Sequence, residues 1–180
     1  MIKIYSEEIK SDFEGTIIDL ETIGYFDDRY VDSRRYRNII PIIFGYLGKE
    51  GIRILCAKKE DSIPKLKEEM IGALDSLARP FYAFNTDFER GVLFNHIGKR
   101  IKFEGELNWE KFESKRRVIQ FLEIPNYGDP FHDNGLLCSQ SWLEGKIENA
   151  ILHNRSCLLK EKDILLKRGF RKPSTLKFII

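Results

Sequence analysis

Thr16-Ile17-Ile18-Asp19-Leu20-Glu21-Thr22-Ile23-Gly24 has the β-branched and apolar enrichment of a buried strand. Two carboxylates interrupt it at alternate positions. Side chains on a strand alternate between faces, so Asp19 and Glu21 share one face. Like charges side by side on a core strand are costly unless something cationic sits between them. A divalent ion, Mg²⁺ or Mn²⁺, meets that need with hard oxygen ligands. The competing reading is an edge strand with both carboxylates solvated.

Outward from this stretch, a polar connection runs from Tyr25 to Asn38. Ile39 to Leu47 reads as a second strand, Gly48-Lys49-Glu50-Gly51 as a turn, and Ile52 to Ala57 as the returning strand, an antiparallel meander. Ile63 to Leu77 has helical periodicity, with Ser62 as N-cap and Pro64 in the first turn. Phe81-Tyr82-Ala83-Phe84 is a short apolar strand, followed by a helix from about Asp87 to His96 that stops near Gly98. Glu110 to Leu122 reads as a helix, Pro125 to Gly135 as an irregular loop, and Leu136 to Gly169 as mostly helical. This order predicts an α/β fold, a mixed sheet with helices packed over it, in a single domain spanning 1–180.

The net charge of +2 does not advertise nucleic-acid binding, but bases gather from Arg155 onward, where only Glu161 and Asp163 oppose them. That end is either a phosphate-facing patch or a solvated helix face. The three cysteines, Cys56, Cys138 and Cys157, are odd in number and widely spaced, so no disulfide framework is implied. The N-terminus lacks the apolar core of a signal peptide, and no apolar run is long enough to span a membrane. A cytoplasmic protein is expected.

Asp19-Leu20-Glu21-Thr22 resembles the first motif of the DEDD superfamily of 3′-5′ exonucleases, which have a ribonuclease-H-like fold. Asn85-Thr86-Asp87-Phe88-Glu89 resembles the second, with Glu89 where Asp is usual. The same residues also read as a Thr-x-x-Glu capping box, and Asp87 is a further candidate from the same turn. The block from Trp142 to Lys146, with Ala150 to Leu158, resembles the last motif, in which Tyr or His, then Asn, then a metal-binding Asp share a helix. His153, Asn154 and Cys157 take those positions, and residues i and i+4 lie on one helix face.

Cys157 in place of Asp is the largest departure, since a thiol is a soft ligand and mostly protonated at neutral pH. Glu161, Asp129 and Asp133 are conceivable substitutes. His153 also reads as a hydrogen-bonded core histidine, or as half of an i,i+4 soft-metal pair with Cys157 that lacks a second Cys/His pair. An alternative register would start from His132 and put Leu137 at the Asp position. The resemblance implies a metal-dependent exonuclease on single-stranded DNA or RNA using two ions. Asp19 would bridge both ions, Glu21 would bind one, Glu89 would act through water, and His153 would be the general base. The alternative is a nuclease-fold module that has lost catalysis and binds nucleic acid or a protein. Tyr25, Phe26 and Tyr30 are candidates for base stacking or for local packing.

Overall fold

The computed structural model describes residues 1–180. β1 (Ile2–Glu7) is followed by β2 (Thr16–Gly24), β3 (Ile39–Gly48), β4 (Gly51–Ala57), β5 (Phe81–Ala83) and β6 (Gly105–Glu106). They form one mixed sheet in the order β1-β4-β3-β2-β5-β6. β1 to β4, β4 to β3 and β3 to β2 are antiparallel, whereas β2 to β5 and β5 to β6 are parallel. The meander of β2, β3 and β4 is as expected. β1 extends it beyond β4, an addition the sequence reading did not contain.

β2 is therefore an interior strand, and its neighbouring residues Ile17 and Ile18 are both fully buried although they point to opposite faces. That removes the edge-strand reading. Ile42, Ile43, Leu47 and Ile54 complete the apolar centre around it, each side chain worth roughly 1.5–3 kcal/mol on burial. The β2–β3 register shifts between Glu21 and Thr22, where Pro41 faces Thr22. Proline has no N–H for the ladder, and a bulge absorbs the break beside Glu21.

Five helices cover the sheet: α1 (Ile63–Ser76), α2 (Thr86–Ile97), α3 (Lys115–Phe121), α4 (Gly135–Leu143) and α5 (Ile147–Arg168). α2 ends on Gly98 in the left-handed region, as its sequence predicts. Ser62 precedes α1 but makes no side-chain cap bond; its hydroxyl goes to Asp61. The helix expected over 110–122 is only α3. Phe112 adopts a left-handed backbone, and Ser114 caps the helix by accepting from the N–H of Arg117. No helix is long and apolar enough to cross a membrane.

Two close approaches fix the helices that carry the site. A Cβ on Gly45 of β3 would stand 1.9 Å from Asn154 Oδ1, so α5 seats its amide against bare backbone. A Cβ on Gly91 of α2 would stand 2.2 Å from the Tyr36 ring. Gly45→Ala is expected to destabilise the fold by about 1–3 kcal/mol, the scale of overpacking. Gly72→Ala, in open space on α1, should stabilise by about 0.5–1 kcal/mol. Urea unfolding of the two variants tests the contrast.

Candidate functional site

A cavity of about 220 Å³ opens beside β2 and is lined by Asp19, Glu21, Glu89, Lys115, His153 and Cys157, among others. All five side chains singled out in the sequence therefore meet at one place, from β2, α2 and α5. All five are buried.

Asp19 accepts from Asn154 Nδ2 at 2.7 Å and faces Lys115 Nζ at 3.4 Å. The same Asn154 nitrogen lies 3.5 Å from Glu21 Oε1, so one amide ties the two strand carboxylates together. Glu21 is pushed up to about 7, chiefly by burial, with His153 opposing and Asp19 adding to the rise.

Glu161 also reaches this cluster. Its Oε1 lies 2.5 Å from Lys115 Nζ, so the lysine bridges Asp19 and Glu161. Burial pushes Glu161 up to about 8, with Lys115 opposing and Asp19 adding to the rise. Burial works against the charge on Lys115, but Asp19 and Glu161 hold its pKa well above the ordinary value. Glu161, named as a conceivable substitute, thus supplies a carboxylate one helical turn beyond Cys157.

Glu89 is not a capping residue. Thr86 gives both its N–H and its hydroxyl to the buried carboxylate of Glu106, and no side chain caps α2. Glu89 Oε2 is buried without a hydrogen-bond partner, as is Glu161 Oε2. Burial, then the charges of Asp19 and Glu161, raise the Glu89 pKa well above the carboxylate range. Asp87 is ruled out as its replacement, because it bonds Arg90 at 2.6 Å and Ser174 at 3.0 Å.

His153 is held from behind. Its Nδ1 lies 2.8 Å from Asp129 Oδ1, leaving Nε2 near Glu21 Oε1 and Cys157 Sγ, 3.7 Å from each. Burial alone would lower its pKa, but Glu21 and the bond to Asp129 help raise it to about 11. The ring is thus held towards its protonated form by the carboxylates on either side of it. The Cys157 thiol is pushed up to about 11 by burial. His132 is exposed and absent from the cavity wall, which disposes of the alternative register.

Asp129 anchors this arrangement rather than filling a ligand position. It is fully buried, accepts from the N–H groups of Phe131 and Asp133, and pairs with the equally buried Lys160 at 2.9 Å. Lys160 also meets Asp133 at 2.5 Å. Half of the basic C-terminal run is engaged in such pairs: Lys160 on Asp129, Arg155 on Glu7, Arg168 on Glu113 and Arg171 on Glu106.

Comparison of the chain with protein-family models, with curated proteins and with solved structures finds no match.

Removing Asp129 leaves Lys160 buried with one carboxylate fewer. Asp129→Asn is expected to cost about 3–5 kcal/mol, and Asp129→Asn with Lys160→Met to recover part of it. Burial opposes the Asp129 charge, but His153 and Lys160 hold its pKa below the ordinary value. Its contribution is therefore complete above that ordinary value and lost as pH falls towards the folded one. The gap between native protein and Asp129→Asn should close below about pH 4, as urea unfolding across pH would show.

Proposed function

We propose that the protein is a metal-dependent phosphodiester hydrolase with a ribonuclease-H-like fold, acting on single-stranded DNA or RNA as a 3′-5′ exonuclease. The observation that carries this reading is the placement of Asp19 and Glu89 on one cavity wall, with Glu161 joined to Asp19 behind it through Lys115, and a buried oxygen of Glu89 and another of Glu161 lacking partners. A hard divalent cation suits such a donor set. Asp19, Glu89 and Glu161 would hold Mg²⁺ or Mn²⁺, with Glu21 beside them. When bound, the ion supplies Lewis-acid polarisation of a phosphoryl oxygen and lowers the pKa of water. The order β4-β3-β2-β5-β6, three antiparallel strands then two parallel ones, supports the fold.

The chain's own residues prepare the site. Asn154 orients Asp19 towards the cavity, and Asp129 fixes His153 so that Nε2 faces Glu21 and Cys157 on the cavity wall. Lys115 pairs with both Asp19 and Glu161. Phe26 is 43% exposed and packs edge-on against Phe88, a wall of the cavity. Trp109 and Phe112, 56% and 82% exposed, lead into α3 beside exposed Lys111, Arg116 and Arg117. Aromatic faces interleaved with cations suit a single strand. Tyr30 instead packs locally among Arg29, Arg34 and Arg37. The three cysteines are unpaired and buried, which fits a cytoplasmic setting.

The binding-module reading is favoured by one observation: the Lys115 ammonium lies between Asp19 and Glu161. Digestion of an end-labelled single strand separates the two. Native protein should be weakly active with Mg²⁺ and more active with Mn²⁺, because Cys157 is a poor partner for the harder ion. Cys157→Asp should raise the Mg²⁺-supported rate. Asp19→Asn and Glu161→Gln should each lower hydrolysis by about 10²–10³-fold, the scale of one lost electrostatic contribution. Strand binding by fluorescence anisotropy, with no hydrolysis in any variant or metal, would favour the binding module.

A further inference from the structure

Glu21, His153 and Cys157 form a second donor set whose chemistry differs from that of Asp19, Glu89 and Glu161. We infer that they constitute a site for a borderline-soft divalent transition metal of the Zn²⁺ type, with its remaining position open to the cavity. The inference goes beyond the proposed hydrolysis and stands whether or not that reading is correct.

Three observations carry it. One carboxylate oxygen, one imidazole nitrogen and one sulfur, all on buried residues, lie within 4.8 Å of one another. His153 Nε2 is 3.7 Å from both Cys157 Sγ and Glu21 Oε1. Bonds of about 2.0–2.3 Å in tetrahedral array put ligand atoms roughly 3.3–3.6 Å apart, so the two His153 gaps need only a small contraction and the Glu21–Cys157 gap, within 4.8 Å, the larger one.

The second observation lies behind the ring. His153 Nδ1 is bonded to Asp129, the carboxylate–histidine arrangement that fixes the tautomer and turns the other nitrogen to a metal. Asp129 is itself immobilised by two backbone N–H groups and Lys160, so the imidazole has little freedom to turn away.

The third observation is access. The residues line a cavity rather than closing on one another, as in zinc sites that keep one position for water or substrate. Binding would deprotonate the Cys157 thiol and take Nε2 of His153 in its neutral form, with the protons released to solvent. The thiol that weakens a Mg²⁺ site is thereby the residue that selects a softer ion.

Co²⁺ is the probe, because it accepts zinc ligand sets and absorbs by charge transfer when bound to thiolate. Titration of the full reduced chain should show one Co²⁺ bound with a thiolate charge-transfer band, displaced by Zn²⁺. Cys157→Ser should lose the band, whereas Cys138→Ala should keep it. Asp129→Asn should weaken binding by about 10–100-fold, and Glu21→Gln by at least as much. Co²⁺ on Asp19, Glu89 and Glu161 would give no such band, so failure of this site and failure of the hydrolase reading are distinguishable. No binding, binding without the band, or a band surviving Cys157→Ser overturns the inference. If Cys157→Ser does not fold by circular dichroism, Cys157→Asp replaces it. Loss of its band then supports the inference and retention overturns it.

Discussion

Asp19 and Glu21 project from a strand that the sheet encloses on both sides, where water can do little for their charge. An uncompensated carboxylate in such a place costs several kcal/mol. The fold answers with groups delivered by other elements. α5 brings Asn154 and His153, and α3 brings Lys115. The approach of α5 depends in turn on bare backbone at Gly45, and the hold on His153 depends on Asp129 and Lys160. The packing of the sheet and the chemistry of the cavity are thus one problem, solved by the same side chains.

The sheet centre and the long helices were legible in the sequence because periodicity is strongest where burial is most one-sided or most complete. β2, β3, β4, α1 and α2 follow from β-branched runs, an apolar stripe and the stop at Gly98. β1 was not recovered. Its residues are at most half-buried, so no strong alternation distinguishes them from a polar terminus. β6 is two residues long and exists through its pairing with β5 and the Arg171 bridge, which no local pattern announces. The helix expected from Glu110 begins late because the chain turns left-handed at Phe112.

Within the site, residues carried by regular elements were readable from spacing: Asp19 and Glu21 at strand period, His153 and Cys157 at helical period. Glu89 was ambiguous between site and cap. The answer lay about twenty residues away, in Glu106, which takes both donors of Thr86. Lys115 could not be found by pattern. A lysine at the start of a short surface helix looks like any solvated lysine until the helix is placed over β2. Asp129 was seen only as a spare carboxylate, because its partners His153 and Lys160 are 24 and 31 residues away.

The position of Lys115 has a consequence for how the cavity's charge is governed. The carboxylates are rooted in β2, α2 and α5, elements built into the core. Their resident cation rides on α3, a seven-residue helix, with its side chain 23% exposed. The anionic part of the site is therefore fixed in the frame of the sheet, while one unit of positive charge is delivered by a short helix seated through Val118 and Ile119. Neutralising that one side chain would change the electrostatic potential of the cavity without removing a single carboxylate. The strand sets where charge is stored, and the short helix sets how much of it an approaching ion or phosphate meets.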